Sequence, residues 1–246
     1  MQRVDCLAMR TLGLLVVGDE ILAGEVRDRN GPYLLDRART LGVPVVLVVT
    51  VPDDAEAVAE ALELLRARAS TVIVSGGIGP THDDVTRQAV AAVLGVGLSC
   101  HADAARRLRG FYGEDATTAD LSMADLPEGA ELVEGLRTSA FGFRCGDVVV
   151  LPGVPSLYAD LVDGLAASWG GTPLARAEVM TPHREGEIAP VLARIQDDAT
   201  DVSIGSYPEL EAGRWHVRVV VRGADPDRVE AVRVRLAREL ARSVDL

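Results

Sequence analysis

The chain has 246 residues, 48% hydrophobic and 25% charged, which is the balance of a folded globular protein and leaves no compositional case for disorder. Its 37 Asp and Glu against 25 Lys and Arg give a net charge of -12, a surface that repels polyanions at long range and argues against non-specific binding of DNA or RNA. Aromatic residues make up only 4%, so Val, Leu and Ala must build the core, and there is little material for stacking single-stranded nucleic acid.

Cys6, Cys100 and Cys145 are far apart and form no CxxC or short Cys/His spacing, a pattern that fits a reducing compartment. No stretch approaches the ~20 apolar residues of a membrane span. The first eleven residues hold Arg3 and Arg10 but no apolar run with a cleavage site, so no signal peptide is expected and the expected location is the cytoplasm.

The first apolar run is Leu12 to Val17, ended by Gly18-Asp19, and Val43 to Val49 and Thr71 to Ser75 repeat the pattern. Runs without polar alternation predict central strands of a parallel sheet, buried on both faces. Between them, Pro32 to Leu41 carries a stripe of Leu34, Ala38 and Leu41, and Asp54 to Ala67 one of Val58, Ala61, Leu62 and Leu65, both at helical spacing. The alternation continues through a helix at Asp84 to Leu94, a strand at Asp147 to Leu151 and a helix at Leu157 to Trp169. The expectation is a three-layer α/β domain with a parallel-rich sheet over residues 1–170.

Gly170-Gly171 reads as a linker, and the pattern then changes. Strands are predicted at Arg176 to Met180, Val202 to Ser206 and Trp215 to Val221. Helices are predicted at Glu187 to Ala199 and at Pro226 to Arg242, the latter capped by Asp225 with Val229, Val232, Leu236 and Leu240 as its buried stripe. This order predicts a small α+β domain over residues 171–246.

In α/β sheets ligands bind beyond the carboxyl ends of the strands. Three loops have that position: Gly18-Asp19-Glu20 through Asn30, Ser75 through Asp84, and Leu151 through Ser156. In the second, Gly76, Gly77 and Gly79 leave the backbone amides bare for an anion, Pro80 stiffens the turn before Thr81, and a helix starting near Asp83 or Asp84 adds its positive end. Asp83 and Asp84 serve either as a cap and a first-turn acid or as ligands of a hard divalent cation that bridges them to a phosphate. His82 orients a carboxylate, binds the ligand, accepts a proton, or is merely structural. In the first loop Asp19 and Glu20 can accept hydrogen bonds from a sugar diol or a heterocyclic N–H, while Asn30 either donates to a phosphate or caps the following helix. The third loop is stiffened around Pro152 and Gly153, and Ser156 either caps the next helix or offers its hydroxyl to the ligand. No GxSxG elbow, GxxxxGK[ST] loop or GxGxxG pattern is present, which speaks against nicotinamide redox chemistry and a Walker-type ATPase.

Gly18-Asp19-Glu20-Ile21-Leu22-Ala23-Gly24 with Asn30, then Gly76-Gly77-Ile78-Gly79-Pro80-Thr81-His82-Asp83-Asp84-Val85-Thr86, then Leu151-Pro152-Gly153-Val154-Pro155-Ser156 together resemble the molybdopterin-binding domain of the competence/damage-inducible protein A (CinA) family. The tail, with Ser203-Ile204-Gly205-Ser206-Tyr207-Pro208, resembles the small domain that follows it there. The resemblance implies one of two activities. The first is a metal-dependent nucleotide pyrophosphatase acting on ADP-ribose or FAD with Mg²⁺, Co²⁺ or Mn²⁺. The second is molybdopterin binding or adenylylation on the same loops.

Carried over by motif, Asp83, Asp84 and His82 would be catalytic, with Asp83 and Asp84 on the metal. Asp19, Glu20, Asn30, Gly76, Gly77, Gly79, Thr81, Pro152, Gly153 and Ser156 would hold the ligand. A homodimer is also expected, with a small phosphorylated partner molecule and neither nucleic acid nor membrane. Two departures stand out: the chain ends at Leu246, which implies no amidase activity of the kind some relatives carry, and Glu134-Gly135-Leu136 replaces a stretch that is usually Asn-rich.

Overall fold

Six strands, four of them apolar runs, line up as one sheet. The computed structural model describes residues 11–211 and 213–242; the expectations for Cys6 and for a signal peptide fall outside them. The chain divides after Gly171 into two compact units.

In the first unit the elements are β1 (Leu12–Val17), α1 (Asp19–Leu22), α2 (Asn30–Thr40), β2 (Val45–Val51), α3 (Ala55–Arg66), β3 (Thr71–Ser75), α4 (Thr86–Leu94), β4 (Leu98–Cys100) and α5 (Ala102–Tyr112). They continue with α6 (Thr118–Ser122), β5 (Asp125–Pro127), β6 (Glu131–Glu134), β7 (Phe141–Cys145), β8 (Val148–Leu151) and α7 (Pro155–Ala166). The main sheet has the order β2-β1-β3-β8-β7-β6, with β7 antiparallel to both neighbours and the other pairings parallel; β4 and β5 form a separate ribbon.

Successive residues of the central strands feed two separate cores, as the two-residue period of a strand requires. Leu15, Val17, Val72, Val74, Val148 and Val150 pack with Val58, Leu62 and Leu65 of α3 and Val90 of α4. Leu12, Leu14, Val16, Ile73, Val149 and Leu151 pack with Leu34 and Ala38 of α2 and Tyr158 and Leu161 of α7. Helices therefore cover both faces, in the three-layer arrangement expected. Leu62 is fully buried, so truncating it to Ala would cost about 2–5 kcal/mol.

Two expectations need correction. The run at Val43 to Val49 is not central: β2 is the edge strand, and its residues alternate between half-buried and exposed, with Val46 and Val48 open to solvent. Valine favours strands wherever they lie, so an unbroken apolar run reports strand formation and not the number of covered faces. The helix expected from Asp84 begins at Thr86, leaving Asp83 and Asp84 in the loop.

The second unit has β9 (Ala175–Thr181), α8 (Glu185–Asp198), β10 (Val202–Glu211), β11 (Arg214–Gly223) and α9 (Pro226–Arg242). Its antiparallel sheet runs β10-β11-β9. Val217, Val219 and Val221 of β11 pack on Ile188 and Ile195 of α8 and on Val229, Val232, Leu236 and Leu240 of α9. Asp225 Oδ1 accepts from the Asp227 amide at 2.9 Å at the start of α9. The strand expected to stop at Ser206 continues through Pro208, which an edge strand tolerates because one side of it needs no donor. Among the described residues no helix is long and apolar enough to cross a membrane.

Candidate functional site

β1, β3 and β8 are parallel neighbours, so their carboxyl ends place the three loops side by side. Glycine is required at the point of closest approach. Gly76 has φ +102°, its amide donates to the Leu151 carbonyl at 3.0 Å, and a Cβ there would stand 2.5 Å from the Val17 carbonyl oxygen.

The glycine loop is held from below by Thr86, the first residue of α4, whose side chain is buried. Its hydroxyl donates to the Gly76 carbonyl and its amide to the Gly77 carbonyl, each at 3.0 Å. In a trans peptide the N–H points opposite to the C=O. Binding those two carbonyls to Thr86 therefore turns the amides of Gly77 and Ile78 away from the helix, and neither amide has a partner among the described residues. Gly79 differs: its amide donates to Asp84 Oδ1 at 2.7 Å, while Asp84 Oδ2 accepts the Thr81 amide at 2.8 Å and the Thr81 hydroxyl at 2.5 Å. Of the three glycines expected to offer amides, only Gly77 has one uncommitted, joined by Ile78. Asp84 spans its own loop and does not cap a helix.

These loops open onto a cavity of about 830 Å³, within the size range of small-molecule sites. Glu20, Gly76, Gly77, Gly79, Thr81, Asp83, Asp84, Pro152 and Gly153 line it, as does Ile78. Four residues expected at the ligand do not. The His82 side chain is 98% exposed, and the Asp19 amide donates to Asp53 Oδ2 at 2.8 Å. Asn30 is buried, with Nδ2 donating to Ser75 Oγ at 2.8 Å and to the Gly153 carbonyl at 2.7 Å, so it ties the ends of the second and third loops. The capping role falls to Asp28, whose Oδ1 accepts the Asn30 amide at 2.9 Å. Ser156 lies inside α7, whose first residue is Pro155, and lines a smaller cavity with Arg29 and Tyr33.

The opposite lining comes from segments that the sequence left unassigned. α5 contributes Arg107, Leu108, Phe111 and Tyr112, and β7 contributes Phe141 and Phe143, so all three phenylalanines of the chain share this cavity. Thr138 to Ala140 also line it, on a loop organised by Asp160. That carboxylate is 1% exposed and accepts from the amides of Leu136, Arg137 and Thr138 and from the Thr138 hydroxyl. Burial pushes the Asp160 carboxyl up, but those hydrogen bonds together outweigh it and hold it down at about 2. A Cβ at Gly135 would lie 2.1 Å from Asp160 Oδ2, which explains a glycine in the stretch that departs from the family pattern.

One edge of the cavity is acidic. Asp53, at the end of β2, has its carboxyl pushed up by partial burial and by the charges of Asp19, Glu20 and Asp83, against the opposing hydrogen bond from the Asp19 amide. Asp53 escaped the sequence reading although Pro52-Asp53 closes a strand just as Gly18-Asp19 does. Among the described residues no three His, Cys, Asp or Glu side chains are grouped to hold a metal ion, and both Asp84 oxygens are engaged by the loop. The Asp83 carboxylate, by contrast, lies exposed at the cavity edge.

Comparison with known proteins agrees with this geometry. A family profile described as "Probable molybdopterin binding domain" matches residues 13–168, and one described as "FAD synthase, middle domain" matches 173–245. A CinA-like protein of Anaeromyxobacter dehalogenans is 35% identical over 90% of this chain, which spans 57% of that relative's length. A protein of Aeropyrum pernix is 34% identical over 94% of this chain and 92% of its own length. The crystal structure of CinA from Thermoplasma acidophilum, described as of unknown function, superposes with a TM-score of 0.61 at 29% identity, covering 65% of this chain and 97% of that one. The chain spans little more than half the length of most of the curated relatives it matches. On its loops, its sheet order and these matches, the chain belongs to the CinA-like proteins that carry a molybdopterin-binding domain.

Proposed function

We propose that the first unit binds a molybdopterin-type ligand, a planar heterocycle carrying a phosphate. One observation carries this reading: a single cavity joins two uncommitted backbone amides, of Gly77 and Ile78, to the only three phenylalanines in the chain. The amides suit phosphate oxygens, the rings of Phe111 and Phe141 suit the faces of a flat heterocycle, with the buried Phe143 behind them, and the carboxylates of Glu20 and Asp53 suit its ring N–H groups. Adenylylation of such a ligand would use the same surfaces for the nucleotide phosphates.

A second reading is a pyrophosphatase acting on ADP-ribose or FAD. It draws on the match of residues 173–245 to a FAD synthase middle domain and on the acidic edge formed by Glu20, Asp53 and Asp83. That reading requires a divalent cation such as Mg²⁺, Co²⁺ or Mn²⁺ held between these carboxylates and the diphosphate, since among the described residues no three His, Cys, Asp or Glu side chains are grouped to hold one alone. A homodimer belongs to either reading, and sedimentation at micromolar concentration showing only monomer would remove it.

Thermal-shift titration with molybdopterin, ADP-ribose, FAD and ATP, each with and without the three cations, separates the alternatives, since a ligand bound to the native state raises its stability with occupancy. Stabilisation by molybdopterin without added metal, and no release of AMP from ADP-ribose or FAD, is the expected result. Metal-dependent AMP release would favour the pyrophosphatase, and no stabilisation by any of the four would overturn both readings.

A further inference from the structure

The cavity is lined by four carboxylates, Glu20, Asp53, Asp83 and Asp84, and by two cations, Arg87 and Arg107. An anion entering so acidic a site needs a positive counterpart. Arg107 is already paired with the carboxylate of Glu134. Among the described residues no carboxylate pairs with Arg87 in this way. Its side chain leaves the first turn of α4, is only 5% exposed, and has as its hydrogen-bond partners the carbonyls of Ile78 at 3.2 Å and Gly79 at 3.1 Å.

Two of the five guanidinium N–H donors are thus assigned, both to neutral groups of the glycine loop. The charges of Asp84 and Asp125 act on Arg87 from further away, and Asp84 is itself satisfied by donors at Gly79 and Thr81. Burying a guanidinium without a contacting carboxylate is costly, and burial does pull Arg87 below the usual arginine range. The cost is offset if the missing counter-ion is the ligand.

We propose that Arg87 is the charge of the anion subsite: its free N–H donors and the amides of Gly77 and Ile78 together bind a phosphate or diphosphate group of the ligand. The proposal rests on the reading that this cavity takes a phosphorylated heterocycle, and it adds where the anion lies and what attracts it. Arg87 acts at the same time on the loop, because it holds the carbonyls of two successive peptides, Ile78–Gly79 and Gly79–Pro80. Lysine would restore the charge but not the planar fork that reaches two carbonyls.

The test uses the full chain, a chelator to remove metal, and three probes: inorganic pyrophosphate, ADP-ribose and the neutral nucleoside adenosine. In calorimetric titration Arg87→Gln should weaken pyrophosphate and ADP-ribose by at least about tenfold, as loss of one partner from a buried charged contact does. Arg87→Lys should recover part of that loss, and adenosine should bind all three proteins alike. Equal pyrophosphate affinity in wild type and folded Arg87→Gln overturns the assignment while leaving the cavity reading intact. Failure of wild type to bind either pyrophosphate or ADP-ribose also overturns the assignment, while the cavity reading stands or falls on the molybdopterin titration. If Arg87→Gln does not fold, the side-chain N–H resonance of Arg87 in wild type decides: saturating pyrophosphate must shift it, and an unmoved resonance refutes the proposal.

Discussion

Asp84→Asn changes almost no volume but converts one of two acceptor oxygens into a donor. In the native loop Oδ1 takes the Gly79 amide at 2.7 Å, and Oδ2 takes the Thr81 amide at 2.8 Å together with the Thr81 hydroxyl. An asparagine carbonyl can serve only one of those amides; the other then faces an NH₂ group, donor to donor. The Thr81 hydroxyl can rotate to accept from that NH₂, but an amide cannot. A hydrogen bond to a charged group contributes about 1.5–3 kcal/mol, and the half-exposed position lets water replace part of it, so a loss of about 1–2 kcal/mol is expected.

For a unit of this size that loss corresponds to a fall in Tm of roughly 2–8 °C in metal-free protein. Hydrogen exchange gives the local version: the amides of Gly79 and Thr81 should exchange faster, while Val74 in β3 keeps its protection. If Asp84 were a helix cap, Asn would serve nearly as well and nothing would change. If its main role were metal binding, metal-free stability would hold and only metal-dependent ligand binding would fall. An unaltered Tm with unaltered exchange at Gly79 and Thr81 would refute the loop-spanning role.

Three further outcomes follow from the same geometry. Asp53→Asn should raise Tm at neutral pH: the native carboxyl is raised above its unfolded value, so its penalty is full above the folded pKa and gone below the ordinary carboxylate range near ~4, where mutant and wild-type melting curves should converge. Asp160→Asn should lower Tm, and the sign is opposite. A carboxyl held at about 2 contributes stability that is present above its ordinary pKa and lost as pH falls through about 2, so the gap between the two proteins should close on acidification from pH 4 to 2. Gly77→Ala should destabilise by about 1–3 kcal/mol from its left-handed backbone alone, before the overlap of the new Cβ with the Thr86 hydroxyl is counted; urea denaturation at wild-type stability would show that the loop does not need this conformation.

What was legible in the chain depended on whether a residue's role is local. The stripes of Val58, Ala61, Leu62 and Leu65 in α3 and of Val229, Val232, Leu236 and Leu240 in α9 repeat at helical spacing, and those are the residues buried. The position of β2 at the sheet edge was not legible, because strand order is set by how the crossovers pack and not by the composition of the strand. α5 was missed for a different reason. Its buried stripe is narrow, Ala104, Ala105 and Leu108, and Asp103, Arg106, Arg107 and Arg109 surround it, so neither hydrophobic period nor chain length made it conspicuous. With it went Phe111 and Tyr112, and hence the ring side of the cavity.

The glycine loop shows the same division within ten residues. Its composition marked it as backbone exposed to an anion, which is a local property of three glycines. Which amides stay free is not local: Gly76 is used by Leu151 of a distant strand, Gly79 by Asp84, and the turn of Gly77 and Ile78 is set by Thr86 at the far end of the loop. The adjacent acids Asp83 and Asp84 therefore look equivalent in sequence and are not equivalent in the fold. One is exposed at the cavity edge, and the other is consumed in shaping the loop. Charge reading from sequence counted both as available to a cation and overlooked Arg87, three residues on, because an arginine in the first turn of a helix is ordinarily a solvated surface group. Burial is what makes it different here: among the described residues its guanidinium has two backbone carbonyls and no contacting carboxylate as hydrogen-bond partners, which leaves donors for an anion that enters the cavity.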